Sequence, residues 1–228
     1  MASTQLCLLG HFPIELHSTV IERLSAQCES AEAYTLTEMV YRRDGTTVLQ
    51  DDHALRVCAF RSSSSSQQRQ PPPMKRTRWS IQVFQKPEPV RLSPEVLQRP
   101  LIECSIEDGA HPIALASSMG FSTHAFTLHT RGILFLRASN SIQIKVYQLF
   151  ASTSSTEALD LSHYIIQVAT KFTTPSALSS GTNQGRGAGG AAGGGGALTM
   201  QEQKVLATAS LKKVQALLKG LVDLGRVE

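Results

Sequence analysis

The seven histidines are the side chains best suited to acid–base or metal chemistry, and their spacing decides what they can do. His124 and His129 are five positions apart, so on one straight strand they point to opposite faces and make poor joint metal ligands. His53 follows Asp51 and Asp52 in a loop-like stretch, where a solvated acidic turn is favoured over a metal site. These spacings predict no metal centre.

Motifs of catalysis and nucleotide binding are also missing. Ser162 and His163 are consecutive at the start of a predicted strand, where neighbouring side chains diverge, so they do not form a nucleophile–base pair and His163 is predicted to lie on the surface. Residues 185–190 match G-x-G-x-x-G, but inside a glycine tract instead of between a strand and a helix. No phosphate-loop, H-E-x-x-H, G-x-S-x-G or EF-hand spacing occurs. The sequence therefore predicts no enzyme and no cofactor.

One enzymatic class remains as an alternative, a triphosphate-tunnel-like phosphohydrolase. Such a barrel needs charged side chains alternating into its bore, with carboxylates for a divalent metal. Its first strand carries an E-x-E-x-K motif, whereas residues 37–43, TEMVYRR, offer only Glu38. We treat hydrolysis as the minority hypothesis.

The segment 139–153 alternates with a period of two, which predicts a strand with one apolar and one polar face. The apolar face carries Ile142, Ile144 and Val146, and the other carries Gln143, Lys145 and Tyr147. Small barrels are usually filled by side chains, so we predict that the apolar face fills a barrel bore and the polar face meets solvent or a partner. A hydrocarbon-filled bore is the premise of a non-enzymatic interpretation.

The remaining elements follow from periodicity, prolines and glycines. The fold class is α+β, mainly β: an antiparallel barrel with an N-terminal helix, a short mid-chain helix and a long C-terminal amphipathic helix. Arg131-Gly132 is predicted to be a turn between two strands. Predicted strands are 6–12, 35–43, 54–60, one starting at 79, 101–106, 124–129, 132–138, 141–150 and 161–172, and predicted helices are 14–27, 112–119 and 199–224.

Composition divides the chain into three parts. Residues 1–172 form the barrel domain, with a flexible Ser/Gln/Pro loop at 61–78. Residues 173–197 are a flexible glycine-rich linker, and 198–228 form a helix that docks on the barrel or on a partner. The apolar stripe of that helix supplies the candidate partner-binding residues, Leu206, Val214, Leu217 and Leu221.

The overall charge gives only weak support for nucleic-acid binding. The 228 residues carry a net charge of +4, and the only tight basic cluster is 75–78. RNA binding by the loop at 61–78 is a second alternative, using Arg61, Arg69, Lys75, Arg76 and Arg78, and it would weaken steeply with salt. The four cysteines have no C-x-x-C spacing, and no signal peptide or membrane span is expected.

The order and spacing of several features across 112–172 resemble a known family, the subunit 18 family of the Mediator coactivator complex. The matching features are Met119-Gly120-Phe121, Phe126, Gly132, Phe135, the strand Ile142–Phe150 and the run Ser155-Thr156-Glu157-Ala158-Leu159 before a last apolar strand. A weaker match covers the first strand and helix.

This resemblance implies a nuclear, non-enzymatic barrel subunit of the Mediator head module, acting in initiation by RNA polymerase II. Relatives pair with Mediator subunit 20, a similar barrel, and receive a helix from subunit 8. No membrane association and no sequence-specific nucleic-acid binding are implied. The segments 61–78 and 181–196 depart from the family pattern.

Overall fold

The chain folds into a closed barrel of eight antiparallel strands. The computed structural model describes residues 2–43, 45, 54–63, 77–107, 111–139, 141–173 and 199–227. Around the barrel the strand order is β1-β5-β4-β3-β2-β6-β7-β8, and β8 pairs with β1 to close it. The mainly-β barrel prediction is confirmed. The strands are β1 Ala2–Pro13, β2 Ser30–Arg42, β3 Ala54–Ser63, β4 Arg78–Phe84, β5 Leu97–Ile106, β6 Thr123–Arg137, β7 Ile142–Phe150 and β8 His163–Thr173.

Within the described residues, three α-helices accompany the barrel, as predicted. After a 3-10 turn, Ile14–Leu16, come α1 His17–Ser25, α2 Pro112–Ser118 and α3 Met200–Leu218. Proline opens α2, where its missing N–H costs nothing. None of the described helices is both long enough and apolar enough to cross a membrane.

The C-terminal helix is shorter than predicted. It begins with a capping box, in which Thr199 and Glu202 satisfy each other's backbone N–H groups. It ends at Leu218 instead of 224, because Gly220 adopts a φ of +85°, the left-handed conformation that stops helices. The residues beyond it turn back onto β1, where the N–H of Gly225 donates to the carbonyl of Leu9 at 2.9 Å.

The predicted turn at Arg131-Gly132 is wrong, since both residues lie in the middle of the 15-residue strand β6. Glycine is required there for close packing. A Cβ on Gly132 would lie 2.0 Å from the carbonyl oxygen of Val146 on β7. Glycine inside a strand often marks such a close approach of two backbones.

The main apolar core lies outside the barrel wall, between β1, β7, β8 and the helices α1 and α3. Val20 and Leu24 of α1 and Leu211 and Val214 of α3 are buried in it. The strands contribute Leu6, Leu8, Ile142, Ile144, Val146, Ile166 and Val168. The prediction that the apolar face of 142–150 fills the bore is therefore wrong. The helices cover the exterior of this wall, so hydrocarbon is buried on the outside and the polar face is left to the bore.

A second apolar cluster lies on another part of the exterior. Leu55, Val57 and Ile81 on β3 and β4 pack with Tyr41 and with Ala116 of α2. The short helix therefore covers the wall on the side away from α3.

The low-complexity segments fall largely outside the described residues. This applies to 64–76 of the predicted Ser/Gln/Pro loop, to 174–198 of the glycine-rich linker, and to His53 with its two aspartates. Their predicted flexibility stays a prediction. The helix that follows the linker packs against β8 and β1 of the same chain.

A polar bore as the candidate functional site

The bore of the barrel holds a cavity of about 240 Å³. Its lining includes side chains from every strand, so the cavity lies inside the closed sheet and not on its surface. Each strand contributes at least one lining residue, and examples in chain order are Gln5, Glu38, Arg56, Gln82, Arg99, Thr130, Lys145 and Lys171. Most of the lining residues are charged or polar, and the bore is therefore mainly polar, although leucines, Phe84 and Ala169 also line it.

Two ion pairs anchor the acidic groups of the bore. Arg56 lies 3.8 Å from Glu38, and the ammonium of Lys171 donates to Glu103 at 2.6 Å. The amide of Gln82 donates to the other Glu103 oxygen at 2.7 Å. Burial acts to raise the pKa of Glu103, but the hydrogen bond and charge of Lys171 outweigh it and the pKa is lowered. Each of the two carboxylates therefore lies beside a cation.

Lys145 lies at the middle of β7 and is enclosed by the barrel wall. Loss of hydration lowers the pKa of its ammonium, and the nearby carboxylate of Glu38 opposes that shift. In the described part of the chain no ion pair or hydrogen bond joins the Lys145 side chain to another residue. An enclosed ammonium without a direct partner is costly to keep in a folded protein.

Two guanidinium groups stack on one ring at the opposite wall. Arg99 lies 3.7 Å and Arg56 lies 4.9 Å from the centre of the Phe84 ring. The Nε of Arg99 also donates to the Oε1 of Gln5 at 3.1 Å. These contacts fix the direction of both cations.

The Cys58 thiol and the Tyr147 hydroxyl on the bore side of the wall are held in their protonated forms. Burial, with the charge of Glu38, raises the pKa of the Cys58 thiol to about 12 and that of the Tyr147 hydroxyl to about 12. A protonated, buried thiol is unreactive. Across the described residues no three His, Cys, Asp or Glu side chains cluster closely enough to hold a metal ion. The thiol and the hydroxyl are therefore poor nucleophiles as they stand.

The four predicted partner-binding residues have different environments. Leu206 on α3 is 55% exposed, whereas Val214 is fully buried in the outer core. Leu217 and Leu221 are partly buried against the same core. The fold thus leaves Leu206 exposed, while the other three stabilise docking of the C-terminal segment on its own barrel. Their partner-binding role stays a prediction.

The two strand histidines share a face, contrary to the prediction. A β-bulge opposite Val40 and Tyr41 shifts the register, so that His124 pairs with Tyr41 and His129 with Thr37 on the outer face. Each hydrogen-bonds a threonine, His124 to Thr127 at 2.8 Å and His129 to Thr37 at 3.2 Å. Two side chains an odd number of positions apart can share a face when a bulge lies between them.

His163 belongs to a small surface network and not to a catalytic pair. Asp160 accepts from the Ser162 hydroxyl at 2.6 Å and contacts the His163 ring at 3.2 Å. The hydrogen bonds from Ser162, with a smaller contribution from His163, lower the pKa of Asp160 to about 2. Ser162 and His163 thus both contact the aspartate, which orders the segment before β8.

The basic loop proposed for RNA binding is only partly described. Arg61 donates to Thr77 at 2.8 Å, and Arg78 lies over the Phe60 ring at 4.9 Å. Both cations therefore have partners within the barrel rim. Arg69, Lys75 and Arg76 lie outside the described residues.

The fold defines the class of protein: a closed eight-stranded antiparallel barrel with a polar bore and helices on its exterior. No family model and no curated protein sequence matches the chain. Among solved structures, the chain is similar to one in the Schizosaccharomyces pombe Mediator head module, with 21% identity over 98% of both chains and a TM-score of 0.67. The chain therefore has the fold of a chain of that module.

Other structural neighbours are more remote. The PH1819 protein of Pyrococcus horikoshii matches 98% of this chain and 94% of its own at 13% identity, with a TM-score of 0.57. A Hippeastrum protein assigned as an adenylyl cyclase, and described as having a dominant triphosphatase activity, reaches 7% identity over 78% of this chain and 82% of its own at a TM-score of 0.43. A likeness that low supports no argument about this chain.

Proposed function

We propose that this chain is a non-enzymatic subunit of the Mediator head module, acting in the nucleus in initiation by RNA polymerase II. The observation that carries the proposal is the likeness to the S. pombe head-module chain over 98% of both chains. The residue pattern across 112–172 supports it independently. The polar bore removes one premise of the interaction hypothesis, so the proposal depends on the fold likeness and on the exterior surface.

An ordered segment with two exposed leucines supports a role in binding another protein. Leu159 is 67% and Leu161 is 64% exposed on the connection between β7 and β8. The backbone there is held in place, since the N–H of Leu159 donates to the carbonyl of Leu149 at 2.8 Å and Gln148 donates to the carbonyl of Asp160 at 3.1 Å. Apolar anchors that are already ordered lose little entropy on binding.

By the family resemblance, the partners are Mediator subunit 20, a similar barrel, and a helix of subunit 8. We expect the chain expressed alone to be poorly soluble, and co-expression with subunit 20 to restore solubility. A well-behaved monomer without affinity for subunit 20 would contradict the proposal.

The surface can be tested by co-purification with subunit 20. We expect the double substitution Leu159→Ser and Leu161→Ser to reduce capture about tenfold or more, because truncating central apolar contacts typically costs over 1 kcal/mol each. Leu92→Ser is the matched control, since Leu92 is 62% exposed elsewhere on the molecule.

Leu206→Ser tests the surface of α3 in the same assay. Loss of capture in this variant alone would assign the contact to α3, as the sequence predicts, and would reject the leucine pair. Equal capture by every variant would reject both surfaces.

The charged bore favours a second candidate, the triphosphate-tunnel-like phosphohydrolase. Four cations inside a closed barrel would suit a polyphosphate. Against it, Glu38 and Glu103 are each beside a cation, and the described residues offer no cluster of metal ligands. Release of phosphate from tripolyphosphate with magnesium or manganese would establish this candidate.

A further inference from the structure

The β7–β8 wall of the bore presents a group of hydrogen-bond donors that have no partner in the described protein. Lys145 lies directly across from Gln167 in the antiparallel register. Gln143 and Tyr147 flank Lys145 two positions away on the same face of β7. No hydrogen bond joins any of these four side chains to another described residue, although all four line the cavity.

The charged side chains around the cavity also favour an anion, because cations outnumber carboxylates. Among the described residues, four cations and the carboxylate of Glu38 line the cavity, and Glu103 pairs with the lining residue Lys171, so these six side chains leave a net charge of +2. These are Arg56, Arg99, Lys145 and Lys171 against Glu38 and Glu103. Because Arg56 lies beside Glu38 and Lys171 bonds to Glu103, an anion would find its direct partner in Lys145.

The size of the cavity limits what it can hold. At about 240 Å³ it is smaller than the roughly 300–1,000 Å³ of sites for drug-sized ligands. A compact oxyanion fits, and its several acceptor oxygens match the three donors of an ammonium with neighbouring amides and a hydroxyl.

We propose that the bore binds a small inorganic oxyanion of the phosphate class, held by Lys145 with Gln143, Tyr147 and Gln167. The anion supplies the direct hydrogen-bonding partner that no described residue gives Lys145. Binding requires no metal and no reaction, and it is independent of whether the chain assembles into Mediator.

The test is a titration of the purified full chain, or of its complex with subunit 20 if the chain alone is insoluble, with inorganic phosphate and with pyrophosphate at constant ionic strength. Calorimetry and the thermal midpoint are both followed, with chloride as the reference salt. We expect saturable binding and a rise in the thermal midpoint, since a ligand that binds only the folded state stabilises it. Lys145→Gln is expected to weaken the affinity about tenfold or more, because hydrogen bonds to charged groups are the strong ones.

Two further variants make the result decisive. Lys213→Gln removes an exposed lysine of α3 with the same change in charge and is expected to bind like the unaltered chain. Gln167→Leu removes a neutral donor opposite Lys145 and is expected to weaken binding several-fold, with circular dichroism confirming that each variant is folded.

Three results would overturn the proposal. One is the absence of saturable binding of either anion. Another is equal affinity in the Lys145→Gln and unaltered proteins. The last is an equal loss of affinity in Lys213→Gln, which would indicate an adventitious ion attracted by net charge alone.

Discussion

Replacing Gly132 with alanine is expected to lower the free energy of unfolding by about 3 kcal/mol or more, the upper range for overpacking. The added Cβ would lie 2.0 Å from the carbonyl oxygen of Val146 and 2.7 Å from the Cα of Tyr147. Both atoms belong to the backbone of β7, so no change of side-chain rotamer relieves the clash. The β6–β7 pair would have to separate, which would disturb the wall that carries Lys145. Urea unfolding followed by circular dichroism measures the effect.

Gly225→Ala is the matched control for this prediction. A Cβ on Gly225 meets no atom within 4 Å, and the residue does not have a positive φ. We expect its free energy of unfolding to stay within about 0.5 kcal/mol of that of the unaltered chain. Similar midpoints for the two variants would mean that β6 and β7 are not packed as closely as described.

Replacing Leu211 with alanine is expected to cost about 2–5 kcal/mol, as for other fully buried leucines. Leu211 is fully buried in the outer core, where α3 packs on β8 and β1. The substitution leaves a cavity between helix and barrel wall that rigid neighbours fill only in part. Equilibrium unfolding of the full chain measures the loss, and the same experiment tests docking of the helix on its own barrel.

Leu206→Ala is the control on the same helix. Its side chain is 55% exposed, and we expect a change within about 0.5 kcal/mol. Equal, small effects of the two substitutions would indicate that the helix does not dock on its own chain. A large effect of Leu211→Ala alone would assign Val214 and its neighbours to the core and not to a partner interface.

Periodicity predicted the secondary structure well and failed at single glycines. The strand at 141–150 and the helix at 112–119 follow from alternation and from Pro112, and the structure has them as β7 and α2. Gly132 was interpreted as a turn, and Gly220 as part of a helix. Glycine serves both turns and close backbone contacts, so its role depends on neighbours that are distant in sequence.

The sequence did contain the residues of the bore. Alternation placed Gln143, Lys145 and Tyr147 on one face of a strand, and that grouping is correct. The error was the side assigned to the face. A two-residue period reports which side chains lie together, and it carries no information about which face becomes the interior when a sheet closes.

By itself, then, the sequence determined where most strands and helices form, which residues share a face on regular strands such as 142–150, and that a helix starts near Thr199. Only the tertiary structure decided which face lies inside the barrel and which residues meet across the bore. Lys171 and Glu103 are 68 positions apart and meet only because eight strands close into a ring. The physical reason is coverage: α1, α2 and α3 bury hydrocarbon on the exterior, so the more polar faces of the strands, with most of the charged groups, are turned toward the bore.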